Sequence, residues 1–260
     1  MKIVNFQYKT NLAFSAPVTE HYFVLRILPQ SDERQRIKGL SCHIDPAGMT
    51  WNARDGFANK LLSGHIELPH DHFCFGIKGT AEIADVPYTL CDEPERVLLY
   101  PTELTKPCDT LADWYKALSP SAPVDPRYRI KYFSQEVHTC MSYERGVTTN
   151  ATTAEEAINV GAGVCQDYAH ILLSLLRQDG IICRYVAGLA SDYGETHAWV
   201  EAWVEDRYIG IDPTRNKLID EGYIAISRGR DFEDCAIERG IFKGTCAGTQ
   251  TIELSMEVLQ

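Results

Sequence analysis

Residues 160–180, VGAGVCQDYAHILLSLLRQDG, hold the segment that most restricts the fold. After Cys165 the apolar residues Ala169, Leu172, Leu173, Leu175 and Leu176 lie nearly all round a helix. Such a helix has no face to give to water and must sit inside the molecule. Gly180 is a natural C′ residue to end it. A helix buried on all sides needs elements on all sides, and the neighbouring sequence offers them. Ahead of it, DTLADWYKAL carries acidic residues in its first turn and stops before Pro120, SPSAPVDP is a linker, and PRYRIKYFSQEVHTCM reads as a second helix. TTAEEAINVG opens with Thr152 and Glu155 at capping-box spacing and ends at Gly161. Behind it the period changes to that of strands, in IICRYVAGL, THAWVEAWVE and RYIGID.

The first 90 residues have a different character. HYFVLRILP is an apolar strand ended by Pro29. WNARDGFANKLLSGHIEL holds two turn signals, Asp55-Gly56 and Ser63-Gly64, between short apolar runs. DHFCFGIKGTAEI is another strand, with Gly76 and Gly79 as bulge or turn points. Short strands spaced by turn residues suggest a β-sandwich. YPTELTKPCD then breaks the chain with two prolines. The reading is an α+β protein, with a β-sandwich over residues 1–105 and a core over 106–260 in which the buried helix packs on an antiparallel sheet. The tail TQTIELSMEVL alternates, placing Ile252, Leu254, Met256 and Val258 on one face.

Charge narrows the partners. The chain carries a formal charge of −11, which argues against a nucleic-acid backbone or an anionic membrane as main partner. MKIVNFQYKTNLAFSAP contains no continuous apolar run, so neither a signal peptide nor a spanning segment is expected there. The nine cysteines are scattered, with no C-x-x-C and no tight spacing. They read as reduced thiols in a cytoplasmic protein, mostly small core residues, with one exception.

The exception is Cys165. At a helix start, unpaired N–H groups and the macrodipole favour thiolate over thiol. Gly161 and Gly163 leave the approach open to a substrate backbone. By itself the cysteine is as well explained as a small residue opening a core helix. His197 and Asp212 change the balance. His197 begins the strand HAWVEAWV, whose Ala198, Val200, Ala202 and Val204 form a small apolar face suited to a helix. Asp212 ends the next strand before Pro213. A hairpin turning near residues 204–205 lays Asp212 beside His197. A thiol, a histidine and an acid beside the histidine make a nucleophile, a base and an orienting group.

At these residues the sequence resembles a known family. GVCQDYAHILLSLLRQDGIICRYVAG, THAWVEAWV and IDPTRN are similar to blocks of the transglutaminase-like superfamily of papain-type cysteine enzymes, in its bacterial branch of candidate cysteine proteases. GRDFEDCAIERGIFKG resembles a further block of that branch, and LRILPQ with WNARDGFAN resembles its N-terminal β-sandwich module. Ile182-Cys183 departs from the Pro-Ala that the branch commonly has before Arg-Tyr-Val. The resemblance implies a papain-like core and a Cys165, His197, Asp212 triad. It implies a thiol hydrolase that cleaves a peptide or isopeptide bond through an acyl-enzyme. An acyl transferase using the same residues and a silent binding module are the alternatives. No cofactor is called for.

Other polar residues stand outside this set. His65, His70 and His72 in HIELPHDH include a His-x-His step suited to a metal, but no carboxylate or thiol pattern completes a site, and no metal is expected. Asp167, in the first helical turn, favours the dipole, and with Gln166 it is assigned support at most. Arg230, Asp231 and Asp234 read as a structural ion-pair cluster before a cleft-lining one. The Cys165 backbone N–H is one oxyanion donor, and the second is not visible in the sequence.

Overall fold

In the computed structural model, which describes residues 1–91, 93–191 and 194–259, the first strand already sets the architecture. Strand β1 (Lys2–Leu25) is 24 residues long and serves two sheets. In its first half Val4, Phe6, Tyr8 and Thr10 are buried between exposed or half-buried neighbours, the period of two that a half-buried strand needs. A register irregularity between Ala13 and Val18 separates the halves. Beyond it Phe23 and Leu25 point into the same core. Strands β2 (Gln35–Asp45), β3 (Met49–Arg54), β4 (Lys60–Ile66) and β5 (His70–Ile83) complete the order β2-β5-β1-β4-β3, all antiparallel.

Three glycine readings turn out differently. Ser63-Gly64 is not a turn but lies inside β4. A Cβ on Gly64 would sit 2.2 Å from Phe23 Cζ, so the glycine makes room for an aromatic ring. Gly76 and Gly79 lie within an unbroken β5. At Gly76 a Cβ would meet Tyr8 O at 2.5 Å, so close approach of two backbones is what excludes a side chain. The bulge opposite Gly79 belongs to β2, between Lys38 and Ser41, where Gly39 takes φ +58°. Asp55-Gly56 does form the turn between β3 and β4.

Strand β6 (Tyr88–Leu90) crosses to the second layer, where it pairs with a strand of the core. Helices α1 (Asp109–Leu118) and α2 (Pro126–Cys140), strand β7 (Ser142–Tyr143), helix α3 (Ala154–Val160) and strand β8 (Ala162–Gly163) lead to helix α4 (Cys165–Gln178). The capping box of α3 falls one residue later than read from sequence: Thr153 Oγ1 accepts from Glu156 N, and Glu156 Oε2 accepts from Thr153 N. Glu155 is thereby free for another task. Its carboxylate accepts the N–H groups of Cys108, Thr110 and Leu111, capping α1 from outside. Residues Gln166 to Arg177 of α4 are all buried, as an all-round apolar helix requires.

The core sheet consists of β9 (Cys183–Ala190), β10 (Thr196–Trp203), β11 (Arg207–Asp212), β12 (Lys217–Leu218) and β13 (Tyr223–Gly229), in the order β12-β11-β10-β9-β13, antiparallel throughout. Ala198, Val200, Ala202 and Val204 share one hydrophobic cluster with α4. The short helix α5 (Phe232–Cys235) follows, and β14 (Glu238–Lys243) and β15 (Gly248–Leu259) return to the first layer to pair with β1. The layers are joined twice over. Leu189, Ile224 and Ile226 enter the core of the first layer. Beside them Arg228 bonds both Glu201 and Asp32, and Asn59 and Gln35 bond the backbone of β13. The fold is α+β, with curled antiparallel sheets and a papain-like core.

Candidate active site

Cys165 is the first residue of α4, half-buried, with Val164 as the extended N-cap. The helix start is fastened from within. Asp167 Oδ2 accepts the Val164 N–H at 2.7 Å and the Thr148 hydroxyl at 2.7 Å. Gly163 has no open approach in front of it, contrary to the sequence reading. A Cβ there would lie 2.4 Å from Asp167 Oδ2, so this glycine lets the carboxylate fold back over the chain. Gly161 takes φ +70° to end α3. Gln166 reaches Asn150 O at 3.2 Å and, like Asp167, supports the loop beside the cysteine.

Sequence placed the hairpin turn near residues 204–205; Glu205 and Asp206 make it, both with positive φ. One step past the pair Val200–Ile211, Asp212 comes level with Trp199 and diagonal to His197. His197 Nε2 lies 2.7 Å from Asp212 Oδ2, and both side chains are fully enclosed. Cys165 stands close enough to His197 to act on the imidazole. The structure thus brings together the three residues read from the sequence. Burial works against a charged imidazole here. The hydrogen bond to Asp212 and the neighbouring Cys165 and Asp212 outweigh it and raise His197 from 6.5 to about 9. Asp212 is likewise opposed by burial, yet the bond and charge of His197, the Tyr223 hydroxyl and Arg215 hold its carboxyl below the usual range.

The surroundings of Asp212 contain residues that sequence reasoning missed. Tyr223 OH donates to Asp212 Oδ2 at 2.7 Å, and the N–H groups of Thr214 and Arg215 bond Oδ1 at 2.9 and 3.3 Å. The backbone pair is legible in hindsight, since an Asp-Pro-Thr turn offers its own N–H groups to the aspartate. Tyr223 has no local signal. It stands on β13, with β9 and β10 between it and β11, and reaches across the sheet end. Trp199 packs edge-on to its ring at 5.3 Å. On the other side of the cysteine, burial and then the Cys165 charge raise Tyr143. Arg145 next to it pairs with Glu195 at 3.0 Å, two residues before His197.

The remaining polar candidates serve the fold. His65 stacks on Tyr22 and faces Glu20, His70 bonds His21, and His72 lies between Asp45 and Asp71, so the three histidines go to separate partners. Arg230 forms a two-pronged ion pair with Asp234, and Asp231 caps α5. All nine cysteines are free thiols. Burial raises Cys42, Cys74, Cys140, Cys183 and Cys235.

Comparison with known proteins matches this arrangement to a family. Residues 117–213 match the model of the transglutaminase-like superfamily, and residues 4–82 that of the bacterial transglutaminase-like N-terminal region. The chain thus carries a transglutaminase-like core and a bacterial transglutaminase-like N-terminal region. Its fold is similar to the crystal structure of a candidate cysteine protease from Cytophaga hutchinsonii, at a TM-score of 0.81 and 20% identity, covering 100% of this chain and 91% of that one. An uncharacterized protein of Mycobacterium tuberculosis is 27% identical over 97% of this chain and 91% of its own length. One of Mycobacterium leprae is 25% identical over 99% and 98%. All three thiol, imidazole and carboxylate groups of the site lie within the transglutaminase-like match.

Proposed function

We propose that this transglutaminase-like protein is a thiol hydrolase that cleaves an amide bond of a peptide or isopeptide through an acyl-enzyme on Cys165. The observation that carries the reading is the placement of His197, bonded to Asp212 at 2.7 Å and near enough to Cys165 to be raised by it. His197 takes the thiol proton and Cys165 Sγ attacks the amide carbonyl. The Cys165 backbone N–H stands at a helix start, where no intrahelical acceptor exists, and faces the developing oxyanion. As the tetrahedral adduct collapses, the C–N bond breaks and His197 gives its proton to the leaving amine. Water, deprotonated by His197, then attacks the thioester and frees the carboxylic acid and the thiol. Asp212 stays ionised throughout and fixes the ring. The free thiols fit a reducing compartment, and we place the protein in the cytoplasm.

Intact mass spectrometry tests this reading. The protein is incubated with a peptide library, with and without a primary amine. An adduct that maps to Cys165, is absent from Cys165→Ala and decays to free acid supports the hydrolase. An amide product in the amine sample replaces hydrolysis by acyl transfer. No adduct on any peptide overturns both.

A further inference from the structure

Away from the cysteine, the seam between α2 and the outer edge of the core sheet contains a cavity of about 200 Å³. Its floor is aliphatic, made by Ile130, Ile209 and Leu218. Its rim carries three cations, Arg127, Lys131 and Arg207. This is unexpected in a chain with 36 acidic and 25 basic residues. Arg127 is neutralised by Glu205. The other two are not neutralised: among the described residues no carboxylate forms an ion pair with Lys131 or Arg207. Arg207 instead lies over the Tyr88 ring, 4.8 Å from its centroid, and bonds the Glu205 carbonyl. Two cations that form no ion pair with a described carboxylate therefore line one concave, apolar-floored space, where an anion would relieve their mutual repulsion.

We infer that this cavity binds a small organic anion, a carboxylate or sulfonate carried on one aromatic ring system or a short acyl chain. The charge of Lys131 and Arg207 selects the head group, and the aliphatic floor selects the body. A dry cavity of about 150 Å³ is known to hold a single benzene ring, so the available space suits a body of this size and excludes a folded partner. The site is separate from Cys165. It adjoins β11, whose other end carries Asp212, and α2, whose His138 contacts Thr214 O at 3.1 Å beside that aspartate.

Calorimetric titration of the full chain tests the inference, with 1-naphthoate and octanoate as probes, and 1-naphthamide and inorganic sulfate as controls. The expected result is saturable binding of at least one carboxylate probe, at least tenfold tighter than 1-naphthamide or sulfate. Lys131→Met and Arg207→Gln should each weaken it at least fivefold. Lys131→Arg and the distant Lys116→Met should leave it within twofold. Both altered side chains reach solvent, and an unfolding curve for each variant verifies the fold. Absence of binding by both carboxylates overturns the inference. So does equal affinity for the amide, which makes the site apolar only, or equal affinity for sulfate, which leaves the floor without a role. Unchanged affinity in both charge variants also overturns it.

Discussion

Asp212 receives four hydrogen bonds, from His197, Tyr223 and two backbone N–H groups, while fully buried. A carboxylate so held keeps its charge beside the imidazole and, together with Cys165 and against burial, raises His197 to about 9. Asp212→Asn retains the size of the side chain and removes that charge. Its imidazolium should lose its proton more readily, so the basic limb of the pH profile for Cys165 alkylation by iodoacetamide should move to lower pH. Turnover should fall by about 10²–10⁴-fold. An unchanged limb with a lowered urea midpoint would make Asp212 a turn residue only. Stability carries the same signature. Because folding raises His197, its contribution is fully present below about 6.5 and is lost as pH rises through about 9. The stability advantage of the wild type over Asp212→Asn should therefore shrink across that window in urea titrations. Cys165, His197 and Asp212 were legible because each stands at the end of an element with its own local pattern. Tyr223 was not, because its role follows from strand order.

Among the elements, the start of α4 depends on a residue with no side chain. Gly163→Ala would put a methyl 2.4 Å from Asp167 Oδ2 and drive that carboxylate off Val164 N and Thr148. The cost should be about 1–3 kcal/mol in urea unfolding, with slower alkylation of Cys165 because the helix start shifts. Gly161→Ala is the comparison: its added methyl meets open space, so only the φ +70° strain of about 1–2 kcal/mol is incurred. Its alkylation rate should stay near the wild type. Equal slowing in both variants would remove Asp167 from the support of the site. Both glycines had been read as clearance for a substrate; only at Gly163 is the space taken, since a sequence shows that a side chain is missing but not what occupies its place. Ser63-Gly64 and Gly76 repeat the lesson, and so does Glu155, whose partner α1 lies more than forty residues upstream. Element type was readable from periodicity; what each small or acidic residue faces was set by packing.

For the molecule as a whole, the polar seam between layers matters as much as the apolar one. Glu201 is buried between Arg184 and Arg228, and Arg228 reaches on to Asp32 of the first layer. Burial alone would raise Glu201, but the two guanidinium groups hold it at about 2. Glu201→Ala should cost about 3 kcal/mol, since it leaves Arg184 without its carboxylate and Arg228 with Asp32 alone among the described residues. The sign with pH is opposite to that of His197. Folding lowers Glu201, so its contribution is present above about 4.5 and is lost as pH falls through 2. The stability gap between wild type and Glu201→Gln should be level from pH 7 to about 4.5 and close below it. A gap that persists unchanged at pH 2 would locate the cost in packing. The sequence suggested an α+β fold with a papain-like core, both found in the structure with its curled antiparallel sheets. It did not reveal that β14 and β15 return to β1, because alternation identifies a strand without naming its neighbour.

That return has a mechanical consequence. β1 and β15 run antiparallel from Ile3 opposite Leu259 to Phe14 opposite Gly248, so the start of β1 and the end of β15 meet at one end of the ladder. A force drawing those two ends apart loads the rungs one after another, like a zipper opened from its tab, instead of shearing them together. A processive unfoldase drawing on the β15 side would meet little resistance there, because among the described residues β15 pairs with β1 alone. It would strip β15 from the sheet edge rung by rung before it met the buried helix.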